Sequence, residues 1–553
     1  MPSYADSRAP FVFARRFPGN HRHAMCLCAF ACASSAREVD EYHFYHPEFL
    51  AMIAAGNDGE YLSAEGVEST VSTPATCKNA LAVGATRSLG RVDPPVDPVI
   101  NFALVAPHAL RTDFQVVSSL FSPIFSFEDN GTALEVVTMD SDPRACADLT
   151  DAEAAAMRGR IVLVERGDCY FIDKVRRVND AGAIGAIIYN NEESGMGFFK
   201  MASAQDGFIT DLPTASVPAS TGRMLRNAMA ASDNGTASIV TLSAADEPLP
   251  AFESIAEYSS FGPTRDGRVK PDVVAPGEAI KSATSVDRDN ECSTRRISGT
   301  SMATPLVAGI AGIVRQYLME GRTPSGEAGG PEEGTTPSGA LIKAVIINGA
   351  VPLRGYAQSG LPLEPPPSFR QGWGRVELAS ALPLPARPAS LQVADWKNLR
   401  GTGDAHAYCL SVPEGSGVAP VSVTLAWMDA PGSLSGSGGL VNDLDLEIEV
   451  PVNASAVSWG SAERPDRKNN VEKGVIHYPV PGGHYGVTVR AYDVRWKMGN
   501  GNDQLYAMAV TGPEGLTLTE GECVAPEEKS ILVAENGEGG SNAVSFGNSG
   551  SLD

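Results

Sequence analysis

Ser301 sits in the segment Ser298-Gly299-Thr300-Ser301-Met302-Ala303-Thr304-Pro305, just ahead of a long apolar run. A serine hydroxyl becomes a useful nucleophile only when one group takes its proton and others stabilise the oxyanion it creates. The pattern predicts a helix from Met302 to Met319 with the serine at its N-terminus. There, unpaired N–H groups and the helix dipole favour developing negative charge. Gly299 lets a backbone pass close by. Pro305 is expected in the first turn, where its missing N–H costs little. A serine in this position also makes an ordinary N-cap, so the segment by itself leaves both readings open.

Other chemistry-bearing residues are sparse. The nine cysteines contain no C-x-x-C pair at zinc spacing. Cys26, Cys28 and Cys32 cluster near the start, while Cys77, Cys146, Cys169, Cys292, Cys409 and Cys523 are scattered, which fits either buried thiols or a few disulfides. Sequons at Asn130, Asn234 and Asn453 are compatible with secretion. Arg15, Arg16 and Arg22 precede a short apolar run, Ala24 to Ala33, that superficially resembles a signal peptide but is rich in Cys and late in the chain.

The elements that must position Ser301 follow from pattern. A chain of 553 residues exceeds one hydrophobic core and implies about three domains. Its 56 Gly and 39 Pro favour many turns and short strands. The net charge of −23 argues against a nucleic-acid partner, since phosphate binding needs surplus Lys and Arg. No run reaches the roughly 18 uninterrupted apolar residues that mark a transmembrane segment. An amphipathic helix is expected over 37–50, then buried strands at Phe49–Ala55 and Ala80–Ala85. Residues 99–250 differ in character, with a βαβ unit made of strand 160–164, helix 173–181 and strand 183–189. The pattern of the first hundred residues returns from Ile255, with a second helix over 340–350. After a Pro-rich stretch at 361–391, strands at 421–427, 444–450, 485–491 and 504–511 alternate with turns, as in an all-β sandwich. The Gly/Ser/Glu-rich tail 524–553 reads as disordered.

Several segments in order give the chain a resemblance. Ser298 to Pro305 closely resembles the nucleophile signature of subtilisin-like serine proteases, the subtilases. Ala54-Ala55-Gly56-Asn57 resembles the segment whose asparagine completes the oxyanion hole. Pro74-Ala75 with Leu81–Ala85, Tyr258–Pro263, Lys270–Gly277 and Gln371–Val376 match the family's later strands and closing turn. The resemblance implies a doubly wound, mostly parallel α/β sheet and peptide-bond hydrolysis through an acyl-enzyme, with polypeptide substrates and no required cofactor. It assigns the nucleophile to Ser301 and the oxyanion hole to Asn57 and the Ser301 N–H. Substrate binding falls to Ala54, Ala55, Gly56, Gly299 and Thr300.

The family runs in the order Asp, His, Ser, with an H-G-T-H-type histidine motif, and this chain has no His-Gly pair. No Asp-[Ser/Thr]-Gly motif precedes Asn57. His21, His23, His43, His46, His108, His406, His477 and His484 all lie in positions better read as ordinary histidines. The expectation is therefore a truncated enzyme, nearly inactive as it stands. The alternative is a non-catalytic, peptide-binding relative acting through its flanking modules.

Those modules carry resemblances of their own. Gly159–Phe171 and Ala181–Asn191 are similar to a protease-associated domain, which implies a Cys146–Cys169 disulfide. Residues after 386 resemble β-domains that follow the catalytic unit in large subtilases. There Asn442, Asp443 and Asp445 have the oxygen chemistry of Ca²⁺ ligands, although alternating Asp in a strand also simply faces solvent. Cys409 and Cys523 bracket this block as a candidate pair. The expected division is 1–34 unassigned, 35–98 and 251–385 catalytic, 99–250 insert, 386–523 sandwich and 524–553 tail. The localisation expected of such a family member is the secretory pathway.

Overall fold

The computed structural model describes residues 28–523, apart from 60–68, 89–98, 107–111, 126–132, 192–197, 202–208, 243–250, 285–292, 331–332, 359–360, 385–386, 416–418, 433–438, 450–455, 460–465, 497–503 and a few single positions. Cys26, Cys292, His21, His23, His108, the sequons at Asn130 and Asn453, and the tail from 524 lie outside the described residues.

Helix α1 spans Cys28–Tyr45, starting before its expected bounds and ending just before His46-Pro47, because a residue preceding proline is pushed out of helical φ/ψ. Strand β1 (Met52–Ala54) is shorter than the apolar run around it, since the chain is still turning at Phe49, whose N–H donates to the His46 carbonyl. It pairs in parallel with β2 (Leu81–Thr86), Met52 opposite Leu81.

Between β2 and the rest of that sheet, the chain builds a separate closed barrel in the order β3-β4-β8-β7-β6-β5-β9. Its elements are β3 (Val99–Ala106), β4 (Thr112–Ser118), β5 (Leu134–Val137), α2 (Asp151–Met157), β6 (Ile161–Glu165), α3 (Phe171–Asp180), β7 (Gly185–Tyr189), β8 (Thr214–Val217), α4 (Ala219–Ala230) and β9 (Ala237–Leu242). The expected βαβ unit is its β6–α3–β7 portion, with Ile161 opposite Gly185. Phe102, Leu163, Ile187 and Leu225 are among the residues filling its core.

The chain then returns to the first sheet. β10 (Val273–Pro276) pairs in parallel with the other side of β2, giving the order β1-β2-β10. All six residues of β2 are buried, as expected of a parallel strand covered on both faces. Ala82 faces α1 with Ile53 and Ala36, whereas Leu81, Val83 and Ala85 face the helices on the other side. A hairpin of β11 (Ile280–Thr284) and β12 (Ser293–Ile297) leads into α5 (Thr300–Met319) and α6 (Gly339–Asn348). α5 is long and apolar enough to cross a bilayer, yet it packs through Ala303, Val307, Ala311 and Val314 on this sheet. α6 is capped by Ser338, whose Oγ accepts from the Leu341 N–H, and all ten of its residues are buried.

The last region consists of β13 (Ser390–Leu399), β14 (Ala405–Ser411), β15 (Val421–Trp427), β16 (Asn442–Glu449), β17 (Ala456–Trp459), β18 (Val471–Ile476), β19 (His484–Val494), β20 (Gln504–Gly512) and β21 (Thr517–Glu520). They form two antiparallel sheets, β13-β20-β15-β18-β17 and β16-β19-β14-β21. Both sheets contribute to one core around Trp427, Tyr408, Tyr485 and Met508. The outer face of the first sheet does not meet water: Leu391, Ala426, Val471, Ala507 and Ala509 share a core with α6.

Candidate active site

The site is assembled where β1 ends and α5 begins. Ala55 continues the β1 direction, its N–H donating to the Val83 carbonyl at 2.9 Å. The chain then turns at Gly56, whose φ is +117° and where a Cβ would come within 2.7 Å of Ser260 Oγ. Only glycine fits there. The Ser260 N–H donates to the Gly56 carbonyl at 3.0 Å, and the Asp58 N–H donates to Ser260 Oγ at 3.1 Å. The turn is thus held from the Tyr258–Pro263 segment.

From the other side Thr300 locks the same turn. Its hydroxyl accepts from the Gly56 N–H at 3.3 Å and lies 3.1 Å from the Gly56 carbonyl and 3.0 Å from Asn57 Oδ1. Its backbone N–H donates to Asn57 Oδ1 at 2.9 Å. With the amide oxygen taken by Thr300, the Asn57 Nδ2 donors remain, and they lie over Gly299, 3.6 Å from where its Cβ would be. Gly277 permits the strand-to-helix approach, because a Cβ there would meet the Gly299 carbonyl at 2.9 Å.

Gly299 is the N-cap of α5, so Ser301 is the second helical residue. Its N–H belongs to the first turn, which has no intrahelical partner. The helix starts two residues before its apolar pattern suggested, because Asn57 and Gly56 fix Thr300. Pro305 consequently lies beyond the first turn, a correction to its expected place. It has no N–H to give the Ser301 carbonyl. Ser301 is exposed, and the Asn57 amide, lying over Gly299, and the Ser301 N–H are two donors at this helix N-terminus. Such an arrangement can hold an oxyanion.

The remaining expected substrate contacts divide. Ala54 and Gly56 are partly exposed, but the side chains of Ala55 and Thr300 are fully buried. Thr300 therefore positions Asn57 rather than presenting a side chain to a ligand.

No described histidine engages Ser301. His43 is 1% exposed. Its Nδ1 lies 2.7 Å from the Val39 carbonyl, and its Nε2 accepts from the Ala51 N–H at 3.0 Å. Those partners fix the Nδ1–H tautomer, and burial, aided by the Lys343 and Lys270 charges, lowers its pKa to about 4. His46 stacks on Tyr42, His406 meets the Tyr506 hydroxyl and His484 the Ser411 hydroxyl. Cys77 offers no alternative nucleophile, since burial pushes its thiol up to about 12.

Cys146 and Cys169 are joined in a disulfide with Cα atoms 5.7 Å apart, and Cys409 is joined to Cys523. The expected Ca²⁺ ligands do not fit a metal. The Asn442 side chain accepts from the Arg495 and Trp496 N–H groups and donates to the Trp496 carbonyl and Gln504 Oε1. Arg467 bridges Asp443 and Asp445 at 3.0 and 2.5 Å, placing a guanidinium where the cation would sit. Desolvation, opposed by Arg467 and reinforced by Asp445, raises Asp443 to about 7. Among the described residues no group of three or more His, Cys, Asp or Glu side chains is placed to hold a metal ion.

Fold and site together define a mixed α/β protein with a serine at a helix N-terminus facing an asparagine held by a glycine turn. The description "Subtilase family" matches residues 28–374; the chain belongs to the subtilase family of serine proteases. It is 32% identical over 282 residues to the serine protease/ABC transporter B family protein tagD of Dictyostelium discoideum, covering 41% of this chain and 15% of that protein. It is 35% identical over 164 residues to the C5a peptidase of Streptococcus pyogenes serotype M3, covering 29% of this chain and 12% of that one. The chain thus spans only a small part of these relatives. Among solved structures, the psychrophilic subtilisin-like protease Apa1 from Pseudoalteromonas sp. AS-11 shares 18% identity over 63% of this chain and 66% of its own, at a TM-score of 0.21.

Proposed function

We propose that this chain is the nucleophile-bearing part of a subtilase endopeptidase whose catalytic Asp and His come from a segment outside these 553 residues. The observation that carries the reading is the Thr300–Asn57 lock, which engages the Asn57 amide oxygen and turns its Nδ2 over Gly299, at the start of the helix that carries Ser301. A serine serving only as a cap has no use for that second donor. In the proposed reaction Ser301 Oγ attacks the scissile carbonyl of a polypeptide. Asn57 Nδ2 and the Ser301 N–H receive the oxyanion, and water then hydrolyses the acyl-enzyme. No cofactor takes part. Ala54, Gly56 and Gly299 bound the substrate pocket, with Ala55 and Thr300 behind them. In subtilisin, loss of the oxyanion asparagine costs about 10²–10³ in kcat, and loss of the histidine about 2 × 10⁶. The oxyanion hole alone therefore leaves this chain nearly inert.

The α5 face that starts at Ser301 supports an incomplete catalytic unit. Leu306, Ile313 and Met319 are exposed on it, and Cβ atoms added at Gly309 and Gly312 would meet nothing within 4 Å. We read the closed barrel, within 99–250, as a protease-associated domain and the paired sheets, within 386–523, as a β-sandwich. Residues 35–98 and 251–385 form the catalytic portion, with 1–34 unassigned and 524–553 a tail. Two disulfides favour an oxidising, secretory compartment.

A second reading, a non-catalytic peptide binder using the barrel and paired sheets, is favoured by the engagement of His43, His46, His406 and His484 elsewhere. Labelling with a fluorophosphonate separates the two. The chain alone should show negligible labelling. Supplying a polypeptide that carries an Asp motif followed by an H-G-T-H element should direct the label to Ser301. Strong labelling of the chain alone would overturn the missing-base argument, and none after supplementation would favour the binder.

A further inference from the structure

The two disulfides sit in different electrostatic surroundings. At Cys146–Cys169 the ammonium of Lys174, on α3, lies 3.3 Å from Cys146 Sγ. The Lys174 side chain is fully buried and also donates to the Arg144 carbonyl. Arg177, one turn further along α3, donates to the Ala145 carbonyl at 3.1 Å. The Asp142 carboxylate accepts from the N–H groups of Arg144, Cys146 and Ala147. The loop carrying Cys146 is thereby clamped to α3 by contacts that do not involve the S–S bond. Cys169 directly precedes the α3 N-cap, Tyr170, which makes no side-chain capping bond. The positive end of that helix dipole lies beside Cys169, partly offset by Asp173 in the first turn. The flanking residues Asp168 and Tyr170 are exposed. Each cysteine also has a neighbour at positive φ, Ala145 at 51° and Asp168 at 61°, conformations that non-glycine residues adopt at a cost.

We propose that Cys146–Cys169 is a thiol-exchange site, opened reversibly by a dithiol reductant through attack on Cys169, with Lys174 stabilising the departing Cys146 thiolate. The incoming thiolate bonds to Cys169 Sγ, and the electron pair of the S–S bond leaves on Cys146 Sγ beside the ammonium. The second sulfur of the dithiol, having lost its proton to solvent, then attacks its partner in the mixed disulfide. That step releases Cys169 as a thiolate, which takes a proton from solvent. Two electrons reach the protein and the dithiol becomes its own disulfide. A leaving thiol of lower pKa departs faster, and an adjacent cation lowers that pKa. Asp142, Glu165 and Asp168 oppose the effect, but Arg144 pairs with both Asp168 and Glu165, and the Asp142 charge is met by backbone donors. Because Lys174, Arg177 and Asp142 hold the loop without the bridge, the two sulfurs stay opposed after reduction, so the bond can re-form.

The second disulfide provides an internal reference. Cys409–Cys523 is likewise half-buried and flanked by exposed residues, Gly521 and Glu522, so accessibility alone does not favour either bridge. The whole chain is treated with dithiothreitol, free thiols are trapped by alkylation at intervals, and each cysteine is quantified by mass spectrometry. Cys146–Cys169 should open roughly tenfold faster than Cys409–Cys523, and brief treatment with glutathione should place the adduct on Cys169. Lys174→Met should slow opening to about the reference rate. Opening of Cys409–Cys523 first or equally fast, or an adduct mainly on Cys146, would overturn the proposal. So would an unchanged rate in a folded Lys174→Met. The wild-type order of opening and adduct position decide the matter even if that variant fails to fold, and neither depends on peptidase activity.

Discussion

Thr300 separates the two readings of Ser301. A capping serine gives its hydroxyl to the helix N–H groups, but here the cap is Gly299 and the hydroxyl in use is that of Thr300. Ser301, one residue on, keeps its hydroxyl exposed. His43 is the opposite case, a titratable group used entirely for structure. Its pKa falls from 6.5 to about 4 on folding, chiefly through burial. The unfolded chain therefore binds a proton that the folded chain refuses, and stability falls as pH drops from about 6.5 to 4. Linkage sets that loss at about 3 kcal/mol. Asp443 works against it: raised to about 7, it binds a proton in the folded state first and gains stability as pH falls over much of the same range. The urea midpoint of His43→Gln relative to that of the parent should thus rise as pH falls from 6.5 to 4, because only the parent carries the His43 loss. A parallel pair of curves would mean that His43 does not titrate as its surroundings require.

Among the elements, the β1–Gly56 turn carries the geometric demand on which the placement of Asn57 depends. Gly56→Ala adds a Cβ 2.7 Å from Ser260 Oγ at a φ of +117°, and should cost about 1–3 kcal/mol. Chemical denaturation would read this as a lower midpoint at unchanged slope; an unaltered midpoint would show that the turn relaxes without loss. The turn was legible in the sequence because Gly56-Asn57-Asp58-Gly59 ends an apolar run. So were β2, β15 and α6, where long apolar stretches meet clear punctuation. The Thr300 lock was not legible, since it joins residues 243 apart in sequence, and a threonine before a serine carries no local sign of its partner. β13 lay hidden at the end of a Pro-rich stretch, and much of the barrel was missed because strands such as β5 and β8 have only four residues. The oxygen pattern of Asn442, Asp443 and Asp445 suggested a cation site, and its outcome turned on Arg467, 22 residues beyond Asp445, which only the fold brings to it.

At the scale of the whole molecule, the paired sheets are built into the core of the parallel sheet and its helices rather than tethered to it. Lys78, next to β2, has no exposed side chain; its Nζ bonds to Asp429 Oδ2 at 2.5 Å and to the carbonyls of Ala430 and Gly439. Asn79 donates to the carbonyls of Asp40 and Asp429 and accepts from the Asp429 N–H. α6 buries its whole surface between the parallel sheet and the strands around Ala426 and Ala507. A fragment ending at 385 would therefore expose an apolar helix and leave Lys78 without its counter-ion. It should lack a cooperative unfolding transition even though it retains Asn57 and Ser301. Point changes test the ionic part without removing the domain. Lys78→Met strands the Asp429 carboxylate in a site with no exposure, and should cost about 3–5 kcal/mol. The Val441 and Asn442 N–H groups still donate to that carboxylate, which favours the lower end. Adding Asp429→Asn removes the stranded charge and should restore part of the loss, so the double variant should unfold at higher urea than Lys78→Met. Strictly additive losses would show that the two residues act independently.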